Sequence, residues 1–454
     1  MIGRAGTRLE LEDIQGNVLQ GYGLGHAAYV GVQVAGAAAG RALVGDLRGH
    51  VLDARPWNGA KPDTALNLAV SHAGLRALGA GEAALATFPP EFAEGMAARA
   101  ERLLGDTAAS RPDGWEEGLR AGEVHVLAVL HARSAELLEQ RLQWLRERIG
   151  RHGALSVGSV QRARMLEEVG ADYGREHFGY SDGFAQPAVE GAPGRQQPGQ
   201  GVPTRFGWRA LKAGEFVLGY PDEDGVLPAA PAAPLGRNGT FMVYRKLQQD
   251  VVGFRRLLRE LADEHYSGDV ELVAAKIAGR WRDGTPLMLS PDAADPALAG
   301  DKARTNDFRY RDDPQGAVCP LGAHVRRANP RDGLVGGGRR SRRHRILRRG
   351  MPYGEPLPPG LEDDGAERGL VFVCFNASIV RQFEMVNRWL LDGDAFGLGA
   401  ERDFMLGADE PGEGKLTVQG DPPTFLAPQP PLVRTRGGEY LFLPGLTALE
   451  ALSG

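Results

Sequence analysis

Two stretches, "VLAVLHARSAELLEQRLQWL" (Val126–Leu145) and "FVCFNASIVRQFEMVNRWL" (Phe372–Leu390), follow the same pattern. Each begins with an apolar run of strand character, breaks at small or polar residues, and continues with apolar residues at helical spacing. In the first, Leu137, Leu138, Leu142 and Leu145 mark the helix. Further units flank them: "AAYVGVQVAG" before "AGRALVGDLRGHVL", and "GTFMVYRKL" before "QQDVVGFRRLLRELADEH". The pairing hints at an internal duplication, although any two strand–helix units would share this much.

Working outward, 454 residues and 48.7 kDa are too many for one small core, and indicate two or three units or one large duplicated one. The aperiodic Pro/Gly-rich stretch "EGAPGRQQPGQGVP" (190–203) is the natural joint. The expected organisation is α+β: an N-terminal half over 1–189, an irregular connection over 190–239 and a C-terminal half over 240–454. A net charge of −5 argues neither for a nucleic-acid partner nor for a membrane surface, and neither is expected. No apolar run approaches the ~20 residues that span a bilayer. Two cysteines, Cys319 and Cys374, make no disulfide framework, and "MIGRAGTRLELEDIQGN" shows no leader, so a cytoplasmic location is expected.

Few residues stand out chemically. Of ten histidines, His125 and His131 sit in or beside a strand and read as packing residues. His324, in "CPLGAHVRRANPRD", has small neighbours on one side and Arg326, Arg327 and Arg331 on the other. It reads equally well as a metal ligand beside a polyanionic group or as a surface histidine in a basic loop. Zinc spacings, phosphate-binding loops and dinucleotide fingerprints do not occur. The run "GGGRRSRRHRILRRG" (336–350) carries seven arginines without interleaved aromatics, a poor nucleic-acid patch. Its apolar end, "ILRRGMPYG", predicts that at least one arginine points inward. Finally, "HFGYSDGFAQP" (177–187) sets Asp182 between two glycines among aromatic neighbours, an unusual place for a turn carboxylate.

Asp182 in "GYSDG", His324 in "AHVRRANPR" and Arg348 in "ILRRGMPYG" resemble, in order and spacing, the motifs of the dye-decolorising haem peroxidases. The likeness extends over nearly the whole chain, through "LEDIQGNVLQGYG", "GTFMVYRKLQQDV", "GLVFVCFNASIVRQFE" and "RGGEYLFLPGL". It implies duplicated ferredoxin-like halves with antiparallel sheets, and one haem b per chain held mainly by the second half. By the same resemblance His324 is the iron ligand, Arg331 pairs with a haem propionate, and Asp182 and Arg348 occupy the distal face. Leu370 and Phe372 wall the distal pocket. Asp403 in "ERDFML" is the first choice for the carboxylate behind His324, with Glu384 in "RQFE" second. Some relatives carry asparagine two residues after the distal arginine, where this chain has Gly350.

The implied activity is reduction of hydrogen peroxide, with oxidation of small organic reductants such as dyes and phenolics by single-electron steps. Asp182 would shuttle the proton and Arg348 would stabilise developing charge. An apolar setting would raise the Asp182 pKa while Arg348 lowers it, a balance that implies an acidic working pH. Phe178 and Phe184 are expected to anchor the loop without needing to line the pocket. Relatives packaged into protein shells carry a C-terminal extension, and the tail "LTALEALSG" predicts none. A non-enzymatic haem carrier or sensor, a different haem-processing enzyme on this fold, and a nucleic-acid binder are the competing readings. The first has little use for Asp182 and Arg348.

Overall fold

A computed structural model describes residues 8–57, 59–166, 174–360, 363–410 and 412–454. Residues 1–7, part of the N-terminus read above as leaderless, lie outside the described residues. The two quoted stretches occupy equivalent places in two equivalent half-sheets. The first half contributes β1 (His26–Val34), β2 (Thr64–Ser71), β3 (Val126–Ala132) and β4 (Leu155–Arg164), in spatial order β4-β1-β3-β2 and all antiparallel. Helices α1 (Ala37–Arg48) and α2 (Ala135–Gly150) follow β1 and β3. This is the ferredoxin-like arrangement.

The second half repeats it with β5 (Thr240–Gln249), β6 (Leu347–Arg348), β7 (Met351–Tyr353), β8 (Gly369–Asn376) and β9 (Val433–Leu443). Here β9 pairs with β5, β5 with β8, and β8 with both short strands. The short strands β6 and β7 together stand where β2 stands in the first half. Helix α3 (Val251–His265) follows β5 and is succeeded by α4 (Val270–Ala278), α5 (His324–Ala328) and α6 (Met385–Leu391). The half-sheets join where Leu441 and Phe442 of β9 pair with Ser71 and Val70 of β2. At the far ends β4 comes close to β7, and Arg164 pairs with Glu355 just beyond it, so the sheet curls towards a barrel.

Strand alternation sorts the side chains into two cores. Tyr29, Val129, Met242, Tyr244, Val371 and Val373 face inward, where the two halves pack on each other. The rings of Tyr29 and Tyr244 lie 5.5 Å apart there. Val30, Leu66, Leu68, Leu130 and Val243 face outward beneath the helices. Burial on both faces explains why Val126–Leu130 of β3 is a continuous apolar run. In α2 the buried stripe is Leu138, Leu142, Leu145 and Ile149, with Leu137 only partly buried, and Ser134 caps the helix by accepting from Leu137 N at 3.3 Å. Buried His131 is a packing residue as read, its pKa pushed down to about 4 by burial.

Glu384, the second choice for the carboxylate behind His324, lies elsewhere. Its oxygens accept from Arg99 Nε and Nη2 at 2.7 and 2.8 Å and from Tyr440 Oη at 2.9 Å. The pair is buried and ties the first half to the second. Removing one partner strands the other charge, so Glu384→Ala should cost about 3–5 kcal/mol in denaturant unfolding. Breaking the exposed Arg162–Glu139 pair should cost less than about 1 kcal/mol.

Candidate active site

A cavity of about 300 Å³ opens on the helix-covered face of the second half-sheet. On β5, Arg245, Leu247 and Gln249 line it, and on β8, Leu370 and Phe372 do. These residues share a face because Arg245 stands opposite Phe372 and Leu247 opposite Leu370. Val371 and Val373, in the alternate positions, go to the inner core. Leu370 and Phe372 therefore share one wall of the cavity.

His324 opens α5 and lines the cavity. Its Nδ1 lies 3.0 Å from Asp403 Oδ2. Asp403 is fully buried, and its other oxygen accepts from Met405 N at 3.0 Å and Leu406 N at 2.8 Å. Burial raises the carboxyl pKa of Asp403, but His324, the Arg327 charge and the Leu406 N–H outweigh it and leave it lowered. Burial lowers the pKa of His324, and Asp403 outweighs that in turn and leaves it raised. An ionised carboxylate only accepts, so Nδ1 carries a proton, and in the neutral ring the Nε2 lone pair is free. That is the tautomer a metal ligand needs.

Asp182 reaches the same cavity from the irregular segment between β4 and β5. Phe178 is anchored against Phe254 of α3 with ring centroids 4.3 Å apart, and Tyr180 Oη donates to Ala274 O on α4 at 2.8 Å. Gly179 and Gly183 take φ of +97° and +105°, where a side chain is strained. The aromatic flanks do anchor the loop, and Phe178 and Phe184 also line the cavity, a second duty not read from the sequence. Asp182 itself is about half exposed, not enclosed by its apolar neighbours. Its Oδ1 accepts from Gly183 N at 2.6 Å and pairs with Arg348 Nη1 at 3.0 Å. Arg348 also donates to Phe184 O at 3.1 Å.

The arginine run divides according to direction. Arg342 and Arg343 pair with Glu223 and Asp224, while Arg339 and Arg340 are exposed. On β6 and beyond, Leu347 faces the inner core, Arg348 the cavity, and Arg349 turns back to donate to Asn17 O at 3.0 Å. Of the arginines near His324, Arg326 and Arg327 are structural. Arg326 binds Asp313 at 2.9 Å, and Arg327 donates to Trp389 O at 2.9 Å. Arg331 lines the cavity, joined there by Arg280 and Arg345, which sequence reasoning missed. Arg345 precedes β6, so no strand alternation marked its direction.

These residues fit a haem. Arg331 donates to Asn306 O and Phe308 O at 2.8 and 3.1 Å, and Arg345 to Ala185 O at 2.7 Å. Burial, with the charges of Arg331 and Arg348, pushes the Arg345 pKa down to about 9. Guanidinium groups held by carbonyls in a buried cavity favour an anion such as a propionate. His324 offers a neutral imidazole nitrogen, and Leu370, Phe372, Phe383 and Leu390 give the cavity apolar lining.

Comparison with known proteins agrees with this reading. Residues 237–398 match the family described as Dyp-type peroxidase, C-terminal, and residues 51–164 match the DyP dimeric alpha+beta barrel domain. A dye-decolorizing peroxidase of Mycetinis scorodonius is 28% identical over 473 residues, covering 98% of this chain and 88% of the relative. The multifunctional dye peroxidase of an Amycolatopsis species is 31% identical over 390 residues, covering 80% and 77%. A solved fungal DyP-type peroxidase from Auricularia auricula-judae superposes with a TM-score of 0.84 at 25% identity, covering 99% of this chain and all of that one. With a family match in each half and likeness running the length of the chain, this protein belongs to the dye-decolorising (DyP-type) haem peroxidases.

Proposed function

We propose that this chain binds one haem b through His324, with Asp403 behind the ligand and Arg331 and Arg345 at the propionates. It reduces hydrogen peroxide at the expense of small aromatic reductants such as dyes and phenolics. The observation that carries this reading is the Asp182–Arg348 pair, set in the same cavity as the His324–Asp403 pair. A carrier or sensor has no need of a carboxylate beside a fixed cation there. The domain limits 1–189, 190–239 and 240–454 belong to this proposal. So does a cytoplasmic location, supported by the two free, buried cysteines. No helix among the described residues is long and apolar enough to cross a membrane.

Peroxide must lose a proton from one oxygen and gain one on the other before water departs. Asp182 accepts the first proton and returns it. Gly183 N–H and Arg348 both engage Oδ1, which fixes the carboxylate and leaves Oδ2 to carry the proton. The Arg348 guanidinium stabilises the negative charge that grows as the O–O bond breaks. Bound haem would supply the redox chemistry, two electrons to peroxide and their replacement one at a time by reductant. Asp403 holds the His324 ring in one tautomer and one orientation, which makes Nε2 the better donor. Gly350 also lines the cavity, and a Cβ there would meet Val371 O at 2.4 Å, so the backbone itself disfavours the asparagine of some relatives.

Asp182→Ala and Arg348→Ala should keep their haem, while kcat/KM for peroxide falls about 10²- to 10⁴-fold, measured by stopped-flow absorbance at the Soret band. Wild-type rates in both would refute the distal assignments. On the other side, Asp403→Asn should weaken haem affinity or turnover about 10- to 100-fold. His324→Ala should lose the ligand altogether. Haem titration of the apoprotein checks both, and unchanged haem spectra in His324→Ala would refute the proximal role.

A further inference from the structure

The segment leading to Asp182 is wound around one carboxylate that the reaction above does not use. Glu176 Oε2 accepts from Phe178 N at 2.9 Å and from Gln249 Nε2 at 2.6 Å, and Oε1 accepts from Tyr180 N at 3.0 Å. The backbone closes the same turn. Glu176 N donates to Tyr180 O at 3.0 Å, and Glu176 O accepts from Gly179 N at 2.9 Å. Two residues further on, Asp182 N donates to Gly174 O at 2.9 Å, which brings the segment back alongside its own start.

A carboxylate suits this place for a simple reason. All three groups that meet it are donors, and both carboxyl oxygens receive them as acceptors. An amide would set its own N–H against one of them. The Gln249 contact adds a second constraint. Gln249 stands on β5 in line with Leu247 and Arg245, on the face that floors the cavity. The bond therefore ties the loop to the sheet that also carries, through β8, the wall residues Leu370 and Phe372. Without Glu176 the segment keeps its aromatic anchors on α3 and α4. It loses the contacts that fix its height above the sheet, and with them the register of Asp182 against Arg348.

We propose that Glu176 is a positioning residue for the distal carboxylate: it winds residues 176–180 into a fixed turn and, through Gln249, fastens that turn to β5 so that Asp182 meets Arg348. The inference rests on the assignment of Asp182 as proton carrier. Displacing a reacting group by about 1 Å costs on the order of 10²-fold in rate, so modest loosening is enough to register.

The test is a double-mutant cycle in the haem-loaded protein, read by stopped flow and by hydrogen exchange. Glu176→Ala should lower kcat/KM for peroxide about 10- to 100-fold, with haem content and the KM of the reducing substrate unchanged. Exchange should rise over residues 176–184 and stay as in wild type over β8. In an Asp182→Ala background the same substitution should change the peroxide rate by less than about 2-fold, because the group it positions is gone. An equal loss in both backgrounds, or unaltered exchange over 176–184, overturns the proposal. Wild-type rates in Asp182→Ala alone would instead overturn the proton-carrier assignment, and the exchange result would still judge the turn. Should Glu176→Ala fail to fold, Gln249→Leu removes the tether while keeping a side chain of similar size on the cavity floor. It should lower the peroxide rate several-fold at unchanged haem content, and a wild-type rate in that variant overturns the proposal.

Discussion

The arrangement depends most on the period-two alternation of β5 and β8. One set of side chains, Met242, Tyr244, Val371 and Val373, is consumed by packing the second half-sheet against the first. The other set, Arg245, Leu247, Gln249, Leu370 and Phe372, is left facing the helices. The helix-side space is not filled by apolar residues along its whole length, and the cavity is what remains. A one-residue slip of β5 would put Arg245 into the inner core and Tyr244 into the cavity, and a slip of β8 would exchange Phe372 with a valine in the same way, so register and site are specified together.

Around that floor, separate segments each bring one group, and each is held by partners that leave the group little freedom. Asp403 is locked by two backbone N–H groups before it meets His324. Arg348 is oriented by the Phe184 carbonyl as well as by Asp182. The Asp182 loop is pinned by aromatic packing on α3 and α4 and by the Glu176 turn. Preorganisation of this kind matters because hydrogen bonds and dipoles already in place need no rearrangement when charge develops. The arginines show the same economy: in one run of seven, neighbours serve as surface charge, loop clasp, cavity lining and backbone brace.

What was legible in the sequence was local. Strand–helix grammar located β1, β3, β5 and β8 with their helices, because a periodicity of two or 3.6 residues is imposed by burial of one face. It passed over β2 and β9, over β4, whose residues are largely half-exposed at a sheet edge, and over β6 and β7, which are too short to show a period. The resemblance to a known family named Asp182, His324, Arg331, Arg348, Leu370, Phe372 and Asp403, and all of them line or support one cavity. Glu384 stood second to Asp403, and nothing in its local sequence excluded it. Only the fold showed that Arg99, 285 residues away, claims it.

By itself the sequence carried the strand–helix pattern and a hint of duplication, the lack of zinc and nucleotide motifs, and, through its resemblance to a known family, the groups expected to hold a haem and move a proton. Those features are written in residue type, short-range spacing and motif. The tertiary structure alone decided which arginines face the cavity, that Asp182 is half exposed and ion-paired, and that Glu176 and Gln249 join the loop to the sheet. Those are contacts between residues far apart in the chain, and direction in an irregular loop has no period from which it could be read.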